Sequence, residues 1–177
     1  LFLLLLLLIF GFLCTIDYQS NFYMKNKILL AGLFCCSLIS TEAQVLLDKN
    51  AGKNSFPIVS PSANVVVCFD GKDETVVRKS VSLFTDDVRR VTGQDLKAQA
   101  SNPGEVSARY AIIVGTAGKS AWIDALTAKK KIDITPIAGG WERYMIETVD
   151  NPAPGIKKAI VVVGSDRRGT AYGLLSI

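Results

Sequence analysis

Histidine is absent from the 177-residue sequence. That excludes Ser-His and Cys-His nucleophile pairs and His-ligated metals, because imidazole is the base or the donor in each. Cysteine is scarce where it would matter. Cys14, Cys35 and Cys36 lie in apolar N-terminal runs, which leaves Cys68 alone in the rest of the chain. One thiol closes no intrachain disulfide and builds no zinc site. Inside Val65-Val66-Val67-Cys68-Phe69 it reads as a small buried hydrophobe. An excess of charge is lacking too: the net value is +4, and acidic and basic residues mix, as in Asp86-Asp87 beside Arg89-Arg90. The one basic run, Lys129-Lys130-Lys131, closes a predicted helix, where cations complement the dipole. No aromatic residues interleave with a basic stripe, so nucleic-acid binding is not supported. There is no internal repeat, and no low-complexity tract beyond the leading leucines.

What is present divides into four segments. Met24 opens a secretory signal: Lys25 and Lys27 form its basic start, Ile28–Ile39 its apolar stretch, and Ser40-Thr41-Glu42-Ala43 its small-residue cleavage site. Cleavage is expected after Ala43, giving a secreted or periplasmic protein. The apolar stretch is short for a membrane span, and the bulky residues before Cys35 and Cys36 depart from a lipidation motif. Residues 1–23 are most simply upstream sequence from a wrong start site, with a membrane anchor as the rival reading. Residues 44–55 form a polar leader. Residues 56–177 form one α/β domain, large enough to bury a core.

Within that domain the expected order is β-α-β-α-β-β followed by a helix. Phe56–Val59 reads as a short edge strand and Val65–Phe69 as a buried one. Asp73–Thr92 is the clearest helix, with Val77, Val81, Phe84, Val88 and Val91 on one stripe, Asp73 as cap and Gly93 as stop. Tyr110–Gly115 is a second buried strand, and Ser120–Lys130 a second helix with Trp122, Ile123 and Leu126 inward. Trp141–Val149 and Ala159–Gly164 form a hairpin around the turn cluster Asp150–Gly155. A last helix begins near Thr170. The fold class is a small mixed β-sheet with two helices packed on it. The apolar, uncapped end Leu174-Leu175-Ser176-Ile177 reads as a truncation, with Tyr172, Leu174, Leu175 and Ile177 expected to pack partly on a following domain.

Two segments invite a chemical reading. Gly115-Thr116-Ala117-Gly118-Lys119-Ser120 sits between a strand and a helix and ends like a phosphate-binding loop. The pattern needs a further glycine where Ile113 stands. A tight turn with Ser120 as N-cap accounts for the same residues, so no nucleotide and no other cofactor is expected. Gly164-Ser165-Asp166-Arg167-Arg168-Gly169-Thr170-Ala171-Tyr172-Gly173 places polar residues between a strand end and a helix start, where ligands often bind. Asp166 and Arg168 are the candidate substrate-binding residues; the competing reading is that they fix the turn. Glu142 and Glu147, five apart in a predicted strand, point to opposite faces and make no acid/base pair.

This last segment, together with Ile112–Ser120, Ile123–Leu126, Gly140-Trp141-Glu142 and Val149–Gly155 in the same order, resembles the N-terminal domain of the family 115 glycoside hydrolases, the xylan α-1,2-glucuronidases. Ala171 and Arg167 are mild departures from the pattern. The resemblance runs from about Phe56 to Ile177. It implies a non-catalytic accessory domain preceding a barrel that removes glucuronic or 4-O-methyl-glucuronic acid from xylan by inversion, with the catalytic carboxylates beyond Ile177. The fragment alone is then expected to be inactive. Its partners are a polysaccharide or oligosaccharide, reached through the catalytic domain, and that domain itself. Similar domains of family 67 and family 20 enzymes, or a stand-alone carbohydrate-binding module, are the alternatives.

Overall fold

The computed structural model describes residues 55–59 and 63–177. The expectations for residues 1–23, for the signal segment 24–43 and for most of the leader 44–55 lie outside the described residues.

Eight elements follow one another. They are β1 (Val65–Phe69), α1 (Thr75–Thr92), β2 (Lys97–Ala100), β3 (Tyr110–Thr116), α2 (Ala121–Ala128), β4 (Tyr144–Ala153), β5 (Ile156–Gly164) and α3 (Arg167–Leu175). The sheet order is β2-β1-β3-β5-β4. All neighbours are parallel except β4, which runs antiparallel to β5. The expected α/β fold is therefore present, with three helices on a five-stranded mixed sheet.

β1, β3 and β5 lie inside the sheet and are covered on both faces, so their sequences are apolar runs, in β5 from Ala159 onward after the exposed Lys157 and half-buried Lys158. Alternate residues feed two cores. Val65, Val67, Phe69, Ile112 and Val114 pack with Val77, Val81 and Phe84 of α1 and Leu174 of α3. Val66, Cys68, Ala111, Ile113 and Val161 pack under Trp122, Ile123 and Leu126 of α2. The period of two along each strand thus sorts α1 and α3 to one face and α2 to the other.

Several boundaries differ from the sequence expectation. Phe56–Val59 forms no strand; Phe56 instead sets its ring edge-on to Tyr110, with centroids 5.7 Å apart. The edge is supplied by β2, a polar segment held to β1 by main-chain pairing. β4 starts three residues later than Trp141 and continues through Asp150, because an irregularity between Asp150 and Ala153 absorbs Asn151 and Pro152. The turn shrinks to Pro154-Gly155, where Gly155 takes φ +85°. Val91 is exposed, and the stripe of α1 meets the core only as far as Phe84 and the partly buried Val88. Leu174 is fully buried in this core and so does not await cover from a further domain, while Ile177 is partly buried beside the same core. Tyr172 and Leu175 remain about half exposed.

Cys68 is fully buried, and burial pushes its thiol up to about 11, against a smaller opposing effect of the Ser101 hydroxyl. The thiolate is the reactive form. We therefore expect no labelling of Cys68 by a maleimide at pH 7 in the folded protein and full labelling in denaturant, read by mass spectrometry on its peptide. Labelling under native conditions would mean that β1 opens.

Candidate functional site

In an open parallel sheet the natural ligand crevice lies beyond the strand ends, where the connections diverge to opposite sides. Here that point is between β1 and β3, since β1 leads outward to β2 and the chain then returns across β1 to β3. Two carboxylates fill the crevice. Asp70 Oδ2 accepts the Ala121 N–H at 2.8 Å, and its Oδ1 accepts the Lys72 N–H at 2.8 Å. Asp73 Oδ2 accepts the Thr116 N–H at 2.8 Å, and its Oδ1 accepts the Glu74 N–H at 2.7 Å.

The consequence is chemical. The amide that opens α2, where a phosphate would dock in a nucleotide-binding loop, is bonded to a resident carboxylate. A second carboxylate sits beside it, and a phosphate arriving there would meet like charge. Asp70, not Ser120, serves the start of α2; the Ser120 side chain makes no cap bond and its hydroxyl is buried without a partner. Likewise Asp73 does not cap α1 as a conventional N-cap. Glu74 occupies that position with no side-chain bond, and Asp73 instead ties α1 to the end of β3. Sequence reasoning missed both roles, because the bonded partners lie 51 and 43 residues away.

The second strand end is different. Asp166 is the N-cap of α3: Oδ1 accepts the N–H groups of Arg168 at 2.9 Å and Gly169 at 2.8 Å, and Oδ2 accepts the Glu142 N–H at 2.9 Å. The bonds from Gly169 and Glu142 are the main reason that its carboxyl is held below the ordinary carboxylate range. A carboxyl depressed in this way stabilises the fold above its unfolded pKa of about 4, and that contribution fades only as pH falls through the lower folded value. Such a group stays ionised and is poorly suited to donate a proton.

Arg168 does not pair with Asp166 through its side chain. Its Nη1 donates to Glu142 Oε1 at 2.7 Å, and its guanidinium carbon lies 6.0 Å from the centroid of the Trp141 ring. The hydrogen bond from Arg168 to Glu142, and the charge of Glu142, raise the arginine's pKa further. Glu142 adopts φ 55°, a left-handed conformation that is uncommon away from glycine, and it is pinned there by the Asp166 carboxylate. Glu142 therefore lies outside β4, and Glu147 within it, so the two share no strand face. Trp141 is 77% exposed, unusual for so large an apolar ring.

Packing locks this corner in place. A side chain at Gly169 would collide with the Arg143 carbonyl, and one at Gly173 would press on Val162 and Tyr144. The Thr116 and Thr170 hydroxyls meet at 2.9 Å, joining the ends of β3 and α3. The glycines and threonine of the Gly164–Gly173 segment thus fix α3 against the sheet. Asp166 positions Glu142 and the first turn, and the Arg168–Trp141–Glu142 group is left facing solvent. Among the described residues, no group of three or more His, Cys, Asp or Glu side chains is placed to hold a metal, and no helix is long and apolar enough to cross a membrane.

The geometry defines a small α/β domain with an exposed arginine-tryptophan-glutamate corner at one strand end. No family model matches the chain, and neither does any curated protein. Among solved structures it is similar to BtGH115A, a family GH115 4-O-methyl-alpha-glucuronidase with specificity for decorated arabinogalactans. The identity is 29%, the TM-score 0.45, and the match covers 64% of this chain and 12% of that one. It is also similar to CpGH84D, at 13% identity and TM-score 0.43, over 63% of this chain and 16% of that one. The chain thus spans a small fraction of either protein.

Proposed function

We propose that this domain is the non-catalytic N-terminal module of a secreted glycoside hydrolase, an α-glucuronidase that removes glucuronic or 4-O-methyl-glucuronic acid from a polysaccharide such as xylan. The observation that carries the reading is the ordered set of family-115-like motifs ending in Gly164–Gly173. The chemistry of the corner is compatible with it. Asp70, Asp73 and Asp166 are committed to backbone amides and Glu142 to Arg168, so hydrolysis is assigned to carboxylates supplied elsewhere in the parent protein.

In this reading Arg168 borders the uronic-acid pocket. Its guanidinium is half exposed and uses Nη1 on Glu142. A planar fork with remaining donors can take a sugar carboxylate by two parallel hydrogen bonds. Asp166 acts through backbone amides as a positioning residue: it fixes Glu142, and Glu142 orients Arg168.

The test is release of uronic acid from glucuronoxylan and aldouronic acids by the full-length protein, with the present chain as comparison. The full-length protein is expected to release it and this chain is not. No release by the full-length protein would sink the proposal, and release by this chain would sink the assignment of catalysis elsewhere. Arg168→Lys in the full-length protein is expected to raise KM or lower kcat with little change in melting. Lysine keeps the charge opposite Glu142 but loses the fork. A lowered melting midpoint with intact kinetics would make Arg168 and Asp166 purely structural.

A further inference from the structure

At the opposite end of β5, the end of α2 and the β4–β5 hairpin enclose an open cleft of about 430 Å³. Lys129 and Lys131 line it from the helix side, Lys157, Pro152 and Pro154 from the hairpin, and no carboxylate side chain lines it. We propose that this cleft is a second carbohydrate site, one that binds the carboxylates of a uronate-bearing polysaccharide away from the Arg168 corner. The polysaccharide class rests on the glycosidase reading above; the anionic character of the ligand does not.

Helix-dipole compensation accounts for one of the three lysines. Lys129 caps α2 and sits where a cation is favoured. Lys131 lies beyond the helix and Lys157 on β5, so neither is explained in this way. Lys130 takes φ 53°, and that left-handed turn lets Lys129 and Lys131 both line the cleft while Lys130 does not. Across from them Asn151 takes φ 49° at the irregularity of β4. Among the described residues none of the three lysines has a carboxylate partner within ion-pair distance. Lys131 instead reaches the Asp150 main-chain carbonyl at 3.4 Å. Three ammonium groups around one concavity repel each other, and an anion within it relieves that repulsion.

The remaining walls select the type of anion. The exposed Pro154 presents a rigid apolar ring face suited to the C–H face of a pyranose; Pro152 also lines the cleft but is buried. No aromatic residue lines the cleft, which leaves nothing to stack a nucleobase. The volume lies in the range of small-molecule sites, larger than one inorganic anion needs, and the open side leaves room for a chain to continue. The nine residues of β5 separate this cleft from the Arg168 corner by about 26 Å, so one polymer several sugars long is needed to reach both.

Affinity electrophoresis of the full-length protein tests the site, using glucuronoxylan, the same polymer with its carboxyls reduced, polyadenylate and inorganic phosphate. Retardation is expected in glucuronoxylan and not in the reduced polymer. Lys129→Gln/Lys131→Gln/Lys157→Gln should weaken it about tenfold at unchanged melting, the sum of three modest exposed charge contacts. Equal binding by the triple variant or of the reduced polymer would overturn the proposal. So would tighter lysine-dependent binding of polyadenylate, or competition by phosphate at the same carboxylate-equivalent concentration. Release of uronic acid from a short aldouronic acid, measured in parallel, separates the two readings. Release without lysine-dependent binding removes the cleft and keeps the glycosidase; lysine-dependent binding without release does the reverse.

Discussion

Trp122→Ala is expected to destabilise the domain by about 3–5 kcal/mol, the range for deleting a buried aromatic side chain. Trp122 is the largest of the fully buried side chains, and it sits at the centre of the core beneath α2 with Ile113, Val161 and Cys68. Its ring N–H also donates to the Ser101 carbonyl at 2.7 Å, which anchors the segment that carries the chain from β2 across to β3. The substitution therefore removes both a volume and a bond. For a domain whose total stability is of the usual order of 5–15 kcal/mol, the loss should lower the melting midpoint by about 10 °C or more. Trp122→Phe separates the two effects: most of the volume stays, while the Ser101 carbonyl is left unsatisfied at a cost of about 1–3 kcal/mol. Trp141→Ala supplies the contrast. That ring is largely in solvent, and its loss should leave melting within about 0.5 kcal/mol of the parent. Thermal denaturation followed by circular dichroism reads all three. A Trp122→Ala protein that melts within a few degrees of the parent would mean that α2 is not held to the sheet as described.

The parts of the fold that were legible in the sequence are those buried on both sides. β1, β3 and β5 stand out as apolar runs because helices cover both faces of the sheet, and α1 because its stripe meets one face. β2 left no such trace. Lys97-Ala98-Gln99-Ala100 is polar and mostly exposed, and it belongs to the sheet through main-chain bonds that any residues can make. The candidate sites divide in the same way. For Asp166 only the competing reading, that it fixes the turn, was open to the sequence, because its partners Arg168 and Gly169 follow at once; its place as N-cap was not, since the helix starts at Arg167 and not near Thr170. Glu142 was not readable, because its partner Arg168 lies 26 residues further on and because nothing local signals a left-handed glutamate. The lysine cleft was half visible. Its helix side appeared as a basic run, while Lys157 joined it only when the hairpin turned at Pro154-Gly155.

Gly164→Ala should be the most damaging single-methyl change in the domain, and it tests whether the Gly164–Gly173 segment acts as a joint. A side chain at Gly164 would collide with the N–H and hydroxyl of Thr170 and come within 2.6 Å of the Gly169 carbonyl carbon. Most of these atoms are backbone at the start of α3, so no rotamer change relieves the overlap. The helix must shift, and the Thr116–Thr170 hydroxyl contact and the Asp166 cap shift with it. Overpacking a core with one methyl commonly costs 1–3 kcal/mol; an immobile backbone neighbour puts this case at about 3 kcal/mol or beyond. Gly71→Ala is the matched control. Its added carbon meets only the Ala100 side chain at 3.6 Å and its φ is not positive, so the change should be near neutral or stabilise by up to about 1 kcal/mol through the unfolded chain. The pair also bears on the Arg168 corner. If the joint positions Arg168, then at a temperature where Gly164→Ala is still folded, the full-length protein should lose uronic-acid release in excess of its loss of folded population. Activity that simply tracks the folded fraction would detach the corner from the chemistry. A Gly164→Ala melting midpoint equal to that of Gly71→Ala would show that α3 is not seated against the end of β5.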